Sequence, residues 1–100
     1  MMSVKILEPA KREFIEAIKY YNLQTSGLGF EFETEILKSI DRICNYPESW
    51  SKIPAETRKC RCNRFPYNII YFQENNVIVI VAIMHSKRKP EYWEKRIHHN

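Results

Sequence analysis

Glycine is scarce, with only Gly27 and Gly29 in one hundred residues. Loops that cradle a phosphate, in nucleotide- and dinucleotide-binding proteins alike, need several closely spaced glycines, so neither class is expected here. Long apolar runs are also missing. The longest, Val77 to Met84, has eight residues, whereas a bilayer requires about 20. The N-terminus lacks the charged, apolar and small-residue succession of a secretory signal, so the expectation is a cytoplasmic protein with no membrane partner. Cysteine is limited to Cys44, Cys60 and Cys62. No second cysteine pair exists, and the other soft ligands are His85, His98 and His99, too few at suitable spacing to suggest a tetrahedral zinc site. Packed, reduced thiols are the simpler reading. No acidic cluster suits a hard cation and no serine or cysteine has an evident base beside it in sequence. Neither a metal nor an organic cofactor is expected.

What the chain does have is a sufficient apolar fraction, 44%, for one domain over residues 1–100 to bury a core unaided. Ser3 to Leu7 reads as a short strand. Pro9 suits a first helical position, and Ala10, Phe14, Ala17, Ile18 and Tyr21 follow at steps of three and four. Asn22 to Gly29 breaks the pattern. Phe32, Ile36, Leu37, Ile40, Ile43 and Cys44 form a second stripe that stops before Pro47, giving a helical hairpin. Glu48 to Glu56, with Pro54, reads as a loop whose Trp50 plugs a core edge.

The period then changes to two. Strands are expected over Thr57–Arg64, Tyr67–Gln73 and Val77–Met84, the last two joined by a tight Asn75-Asn76 hairpin. Val77–Met84, apolar on both faces, should lie inside the sheet. Pro90 should open a C-terminal helix over Glu91–Ile97. The order β-α-α-β-β-β-α describes an α+β domain with a helical hairpin on one face of a small, mainly antiparallel sheet. Ile78, Ile80 and Met84, or their alternates, should stay partly exposed on the other face unless the C-terminal segment or a partner covers them.

Charge is divided unevenly along the chain. Residues 1–50 hold six Lys/Arg against eight Asp/Glu, or −2, and residues 51–100 hold ten against four, or +6. A concentration of this kind marks a surface for phosphates or an acidic protein, or simply a solvated face. Lys59 and Arg61 should share one face of their strand, with Arg58 and Arg64 on the other. His85 ends the last strand and is followed by Ser86-Lys87-Arg88-Lys89 and by Tyr92-Trp93. If the sheet gathers these ends, Arg64, His85, Arg88 and Tyr92 form a cationic set capable of RNA cleavage without a metal. His85 would move a proton, Tyr92 would stack on a base or assist, and Arg64 with Arg88 would hold phosphate oxygens. Lys59, Arg61, Lys87 and Lys89 would bind the nucleic acid. Each residue also has a plainer role: a strand-end histidine, packing aromatics and solvated cations.

Two segments, Arg64-Phe65-Pro66-Tyr67-Asn68-Ile69-Ile70-Tyr71 and Ile83-Met84-His85-Ser86-Lys87-Arg88-Lys89-Pro90-Glu91-Tyr92-Trp93, together with Pro9-Ala10 and Tyr20-Tyr21, resemble the RelE/ParE toxin superfamily. The resemblance spans nearly the whole chain. It implies a bacterial two-gene toxin–antitoxin module of type II, with a cognate antitoxin wrapped around the toxin. For the target it implies two options: the ribosome and its mRNA, cut in the A site by RelE-like members, or DNA gyrase, poisoned without bond cleavage by ParE-like ones. A member that only binds antitoxin is a third possibility. Many nucleases of this superfamily carry an arginine directly after the third-strand tyrosine, where this chain has Asn68. Arg64 would have to supply the missing phosphate ligand. An acidic antitoxin with an amphipathic segment would complement the basic surface.

Overall fold

The first and last strands pair in parallel, and the pairing starts where the Ser3 N–H donates to the carbonyl of Asn76. The computed structural model describes residues 2–89 and 91–97, and both Pro90 and the His98-His99 pair lie outside them. The elements are β1 (Ser3–Ile6), α1 (Glu8–Gln24), α2 (Leu28–Asn45), β2 (Ser51–Ile53), β3 (Thr57–Arg61), β4 (Tyr67–Glu74), β5 (Val77–His85) and a short 3-10 turn over Glu94–Arg96. The sheet runs β1-β5-β4-β3-β2. β1 is parallel to β5, and every other pair is antiparallel. β5 is therefore interior, as its two apolar faces require.

The helices form where the stripes place them. Ala10, Phe14 and Ala17 of α1 are buried, as are Phe32, Ile36, Ile40 and Ile43 of α2. Leu37 departs from the expectation and is 51% exposed, since it is rotated about 100° from Ile36 and both cannot face inward. α1 runs on to Gln24, three residues into the expected break. The hairpin closes tightly at Gly29, whose N–H donates to Asn22 Oδ1 at 2.7 Å. A Cβ there would stand 2.1 Å from the Ile18 carbonyl oxygen, so only glycine permits this approach.

Three further expectations need correction. The Glu48–Glu56 loop contains the edge strand β2, three residues long and too short to alternate visibly. The C-terminal helix is reduced to the turn at Glu94–Arg96. β3 also ends at Arg61, and Arg64 lies in the following turn with a φ of 71°.

The main core lies between hairpin and sheet and includes Phe14, Phe32, Ile36, Cys60, Cys62, Ile69 and Ile80. Burial raises the Cys60 thiol to about 11, so both sulfurs behave as small apolar groups. A second cluster on the opposite face joins Ile70, Val81, Ala82 and Met84 to Trp93. Ile78 and Ile80 are fully buried in the core beneath the helical hairpin, whereas Met84, 5% exposed, lies on the other face. On that face the chain's own C-terminal segment, through Trp93, covers part of the sheet.

Candidate functional site

The ends of β3, β4 and β5 and the segment after β5 carry all of the cationic residues expected to act together. Register places Tyr67 opposite His85 and Asn68 opposite Met84, while Arg61 lies opposite Asn68 and Lys59 opposite Ile70. The Ser86 N–H donates to the Pro66 carbonyl at 2.7 Å, holding the chain after β5 beside the β3–β4 turn. His85 stands edge-on to Tyr67, with ring centroids 5.3 Å apart. Its Nδ1 accepts the Lys87 N–H at 3.1 Å.

Glu13, on α1, draws the residues after β5 together. It is 13% exposed and faces four donors. The Ile83 N–H reaches Oε1 at 3.1 Å, the Tyr92 hydroxyl reaches Oε2 at 2.5 Å, and Arg96 forks onto both oxygens at 3.0 and 2.9 Å. Arg88 lies 3.7 Å from Oε2 with its guanidinium 3.8 Å above the Tyr92 ring. Arg96 also donates to the Val81 carbonyl at 2.9 Å. Burial, then the hydrogen bond to Glu13 and its charge, push the Tyr92 phenol well above its ordinary range. A phenol so placed keeps its proton at neutral pH.

Arg64 belongs to a different constellation. Its guanidinium reaches Glu31 at 2.7 Å and Glu35 at 3.8 Å, both on α2, and lies 5.3 Å from the Phe65 ring centroid. Aromatic contacts run from Phe65 to Phe32, from Phe32 to Tyr67, and from Tyr67 to His85. Arg64 and Arg88 are thus each committed to acidic partners on separate helices, and they do not form one phosphate clamp. His85 and Arg88 do share a cleft of about 200 Å³ with Tyr20 and Tyr67. Arg58 is pinned to the Trp50 carbonyl at 2.7 Å.

Lys59, Arg61, Lys87 and Lys89 are exposed and make no ion pair among the described residues. The first two project from the sheet face that carries Trp93, and the second two lie in the turn beyond His85. The cations therefore divide into a neutralised set, Arg64, Arg88 and Arg96, and a free set facing solvent. Sequence reasoning missed Glu13, because a single glutamate beside the apolar stripe of α1 has no local partner. Its only signal is position, immediately before the buried Phe14.

Comparison with known proteins decides the family. Residues 4–90 match the family model of the ParE toxin of type II toxin–antitoxin systems, parDE. The chain belongs to the ParE toxin family. Among solved structures, it resembles a chain from the chromosomal ParDE toxin–antitoxin system of P. aeruginosa, with a TM-score of 0.74 over 87% of this chain and 98% of that one. At 16% identity that likeness is one of fold: two helices packed on a five-stranded mixed sheet. No curated protein matches. No helix among the described residues of this ParE-family toxin is long and apolar enough to cross a membrane.

Proposed function

We propose that this ParE-family toxin arrests growth by binding DNA gyrase, breaks no bond itself, and is neutralised by a cognate antitoxin. One observation carries the reading: the groups an RNA-cleaving site would require are already bound by the protein's own carboxylates. Tyr92 donates to Glu13 with Arg88 3.7 Å from the same carboxylate, and Arg64 donates to Glu31 with Glu35 at 3.8 Å. A phenol that donates to a buried carboxylate is a poor proton acceptor, and two arginines with separate acidic partners leave a phosphorane without a bidentate ligand. Asn68, in place of the arginine common to the nucleases, supports the same conclusion.

Binding falls instead to the free cations Lys59, Arg61, Lys87 and Lys89, which suit an acidic antitoxin segment or an acidic surface on the target. Purified gyrase assayed for supercoiling should lose activity as toxin is added, and a His85→Ala toxin should inhibit as well as the parent. Full supercoiling at excess toxin sinks the proposal.

The His85–Arg88 cleft favours one alternative, ribosome-dependent mRNA cleavage. Primer extension on mRNA from cells expressing the toxin distinguishes it. New 5′ ends inside codons, lost with His85→Ala, replace the gyrase reading; intact messages with arrested growth retain it.

A further inference from the structure

The edge of a sheet presents main-chain donors and acceptors that have no neighbouring strand, and proteins usually keep such an edge short or cover it. β2 covers only part of β3. It pairs from Thr57 to Lys59, while β3 runs on to Arg61. The Cys62 N–H donates to the Tyr67 carbonyl at 2.9 Å, so the even-numbered residues here turn their main-chain groups toward β4, and Arg61, by alternation, turns its own toward the edge. Among the described residues no strand lies beside it there. Its neighbour is instead a cleft of about 530 Å³, whose walls include Trp50, Phe65 and, from the last turn of α2, Arg42.

Arg42 is half-buried. Its guanidinium donates to the Ser39 hydroxyl at 2.9 Å and makes no ion pair with a described residue. Arg64, at the same cleft, is already matched by Glu31 and Glu35. A guanidinium presents its N–H donors in a fixed fork that fits a carboxylate through two of them, and partial burial strengthens such a pair over one in open water.

We propose that the open edge of β3 is a docking site for an extended protein segment, which adds as a further strand beside Arg61 and places one glutamate or aspartate on Arg42. Successive residues of a strand point to opposite faces. The residue opposite Arg61 shares the outer face with the Arg61 side chain and turns its N–H to the toxin, and its neighbour points toward α2, where Arg42 receives the carboxylate. Residues two positions from the acidic one return to that side and meet Trp50 and Phe65, which suit apolar side chains. Arg61 contributes its main chain, and its side chain stays at the rim. An acidic antitoxin is the occupant that the proposed function supplies, and the inference rests on that part of it. What it adds is the edge, the register and Arg42.

The probe is the peptide acetyl-Val-Thr-Glu-Thr-Val-amide, titrated into the toxin while the Arg61 amide and the Arg42 Nε–H are followed by NMR. Both resonances should move saturably. Glutamine in place of the peptide's glutamate should weaken binding about tenfold, the loss of one hydrogen bond to a charged group. Arg42→Gln should erase the difference between the two peptides, a coupling that a merely structural arginine does not produce. N-methylation of both threonines, whose N–H groups face the edge, should abolish binding, and N-methylation of the glutamate, whose N–H faces away, should not. Should Arg42→Gln not fold, the unaltered toxin with these four peptides still decides the charge and the strand. No saturable shift at millimolar peptide, equal affinity for the glutamate and glutamine peptides, or tolerance of both N-methylations overturns the site. Peptide binding by a toxin whose growth arrest no neighbouring gene product relieves ends the antitoxin reading alone. A neutralising antitoxin that leaves both resonances unmoved in the complex ends this inference alone.

Discussion

At the scale of single residues, Glu13 is the side chain on which the rest of the site depends. Removing it leaves Arg96, 16% exposed, with a buried charge and no counter-ion, a change that costs about 3 kcal/mol or more. Glu13→Ala should therefore lower the urea midpoint well beyond an ordinary surface change. Tryptophan emission should shift to the red at low denaturant as Trp93 comes off the sheet. Tyr92 gives a second test through pH. Its folded pKa lies above the unfolded one, so the folded state retains a proton that the unfolded chain releases above about pH 10. The stability it contributes is complete below that pH and is lost as pH rises through the folded value. Urea melts at pH 8 and at about pH 10.5, just above the ordinary phenol value, should show alkaline destabilisation that is smaller in Tyr92→Phe. An equal loss in both proteins removes Tyr92 from the account.

At the scale of elements, the α1–α2 hairpin and the β2–β3 turn contain opposite kinds of constraint. Gly29 is confined by space: its missing Cβ would meet the Ile18 backbone oxygen, which cannot rotate away. Gly29→Ala should destabilise by about 3 kcal/mol. At Gly27 a Cβ would meet nothing within 4 Å, but φ is 87°, so Gly27→Ala should cost only about 1 kcal/mol. The β2–β3 turn places Ala55 and Glu56 at φ values of 66° and 56°, conformations that neither residue favours. Ala55→Gly should raise the urea midpoint, through a gain in stability of up to about 1 kcal/mol. The same elements explain which parts of the fold are legible in the sequence. Both helices are legible because their stripes recur every three or four residues, and β4 and β5 are legible from their β-branched runs and from Asn75, which takes a φ of 56°. β2 is not, because three residues contain no period. The C-terminal segment misleads because its local pattern is helical, whereas Trp93 in a sheet cluster and Arg96 on Glu13, 83 positions away, decide its shape. No local pattern encodes a contact of that span.

Across the whole molecule, charge is sorted by position. The acidic first half supplies Glu13, Glu31 and Glu35, which neutralise Arg64, Arg88 and Arg96 of the basic second half. What remains outside is the group of Lys59, Arg61, Lys87 and Lys89. For an acidic antitoxin, exposed cations of this kind should govern the encounter more than the final grip. Stopped-flow association should slow as salt rises, and Lys59→Ala with Arg61→Ala should lower the association rate while changing dissociation little. A dissociation-dominated effect would place these residues inside the contact and not at its approach. The parallel pairing of β1 with β5 has a further consequence, in the order of synthesis. β5 is the last strand to be made, yet it lies between β1 and β4, and Ser3 waits 73 residues for Asn76. While the chain is growing, β1 has no neighbour and the sheet cannot close. A message interrupted before residue 77 therefore yields a chain that lacks an interior strand, and the five-stranded sheet assembles only once that strand is finished.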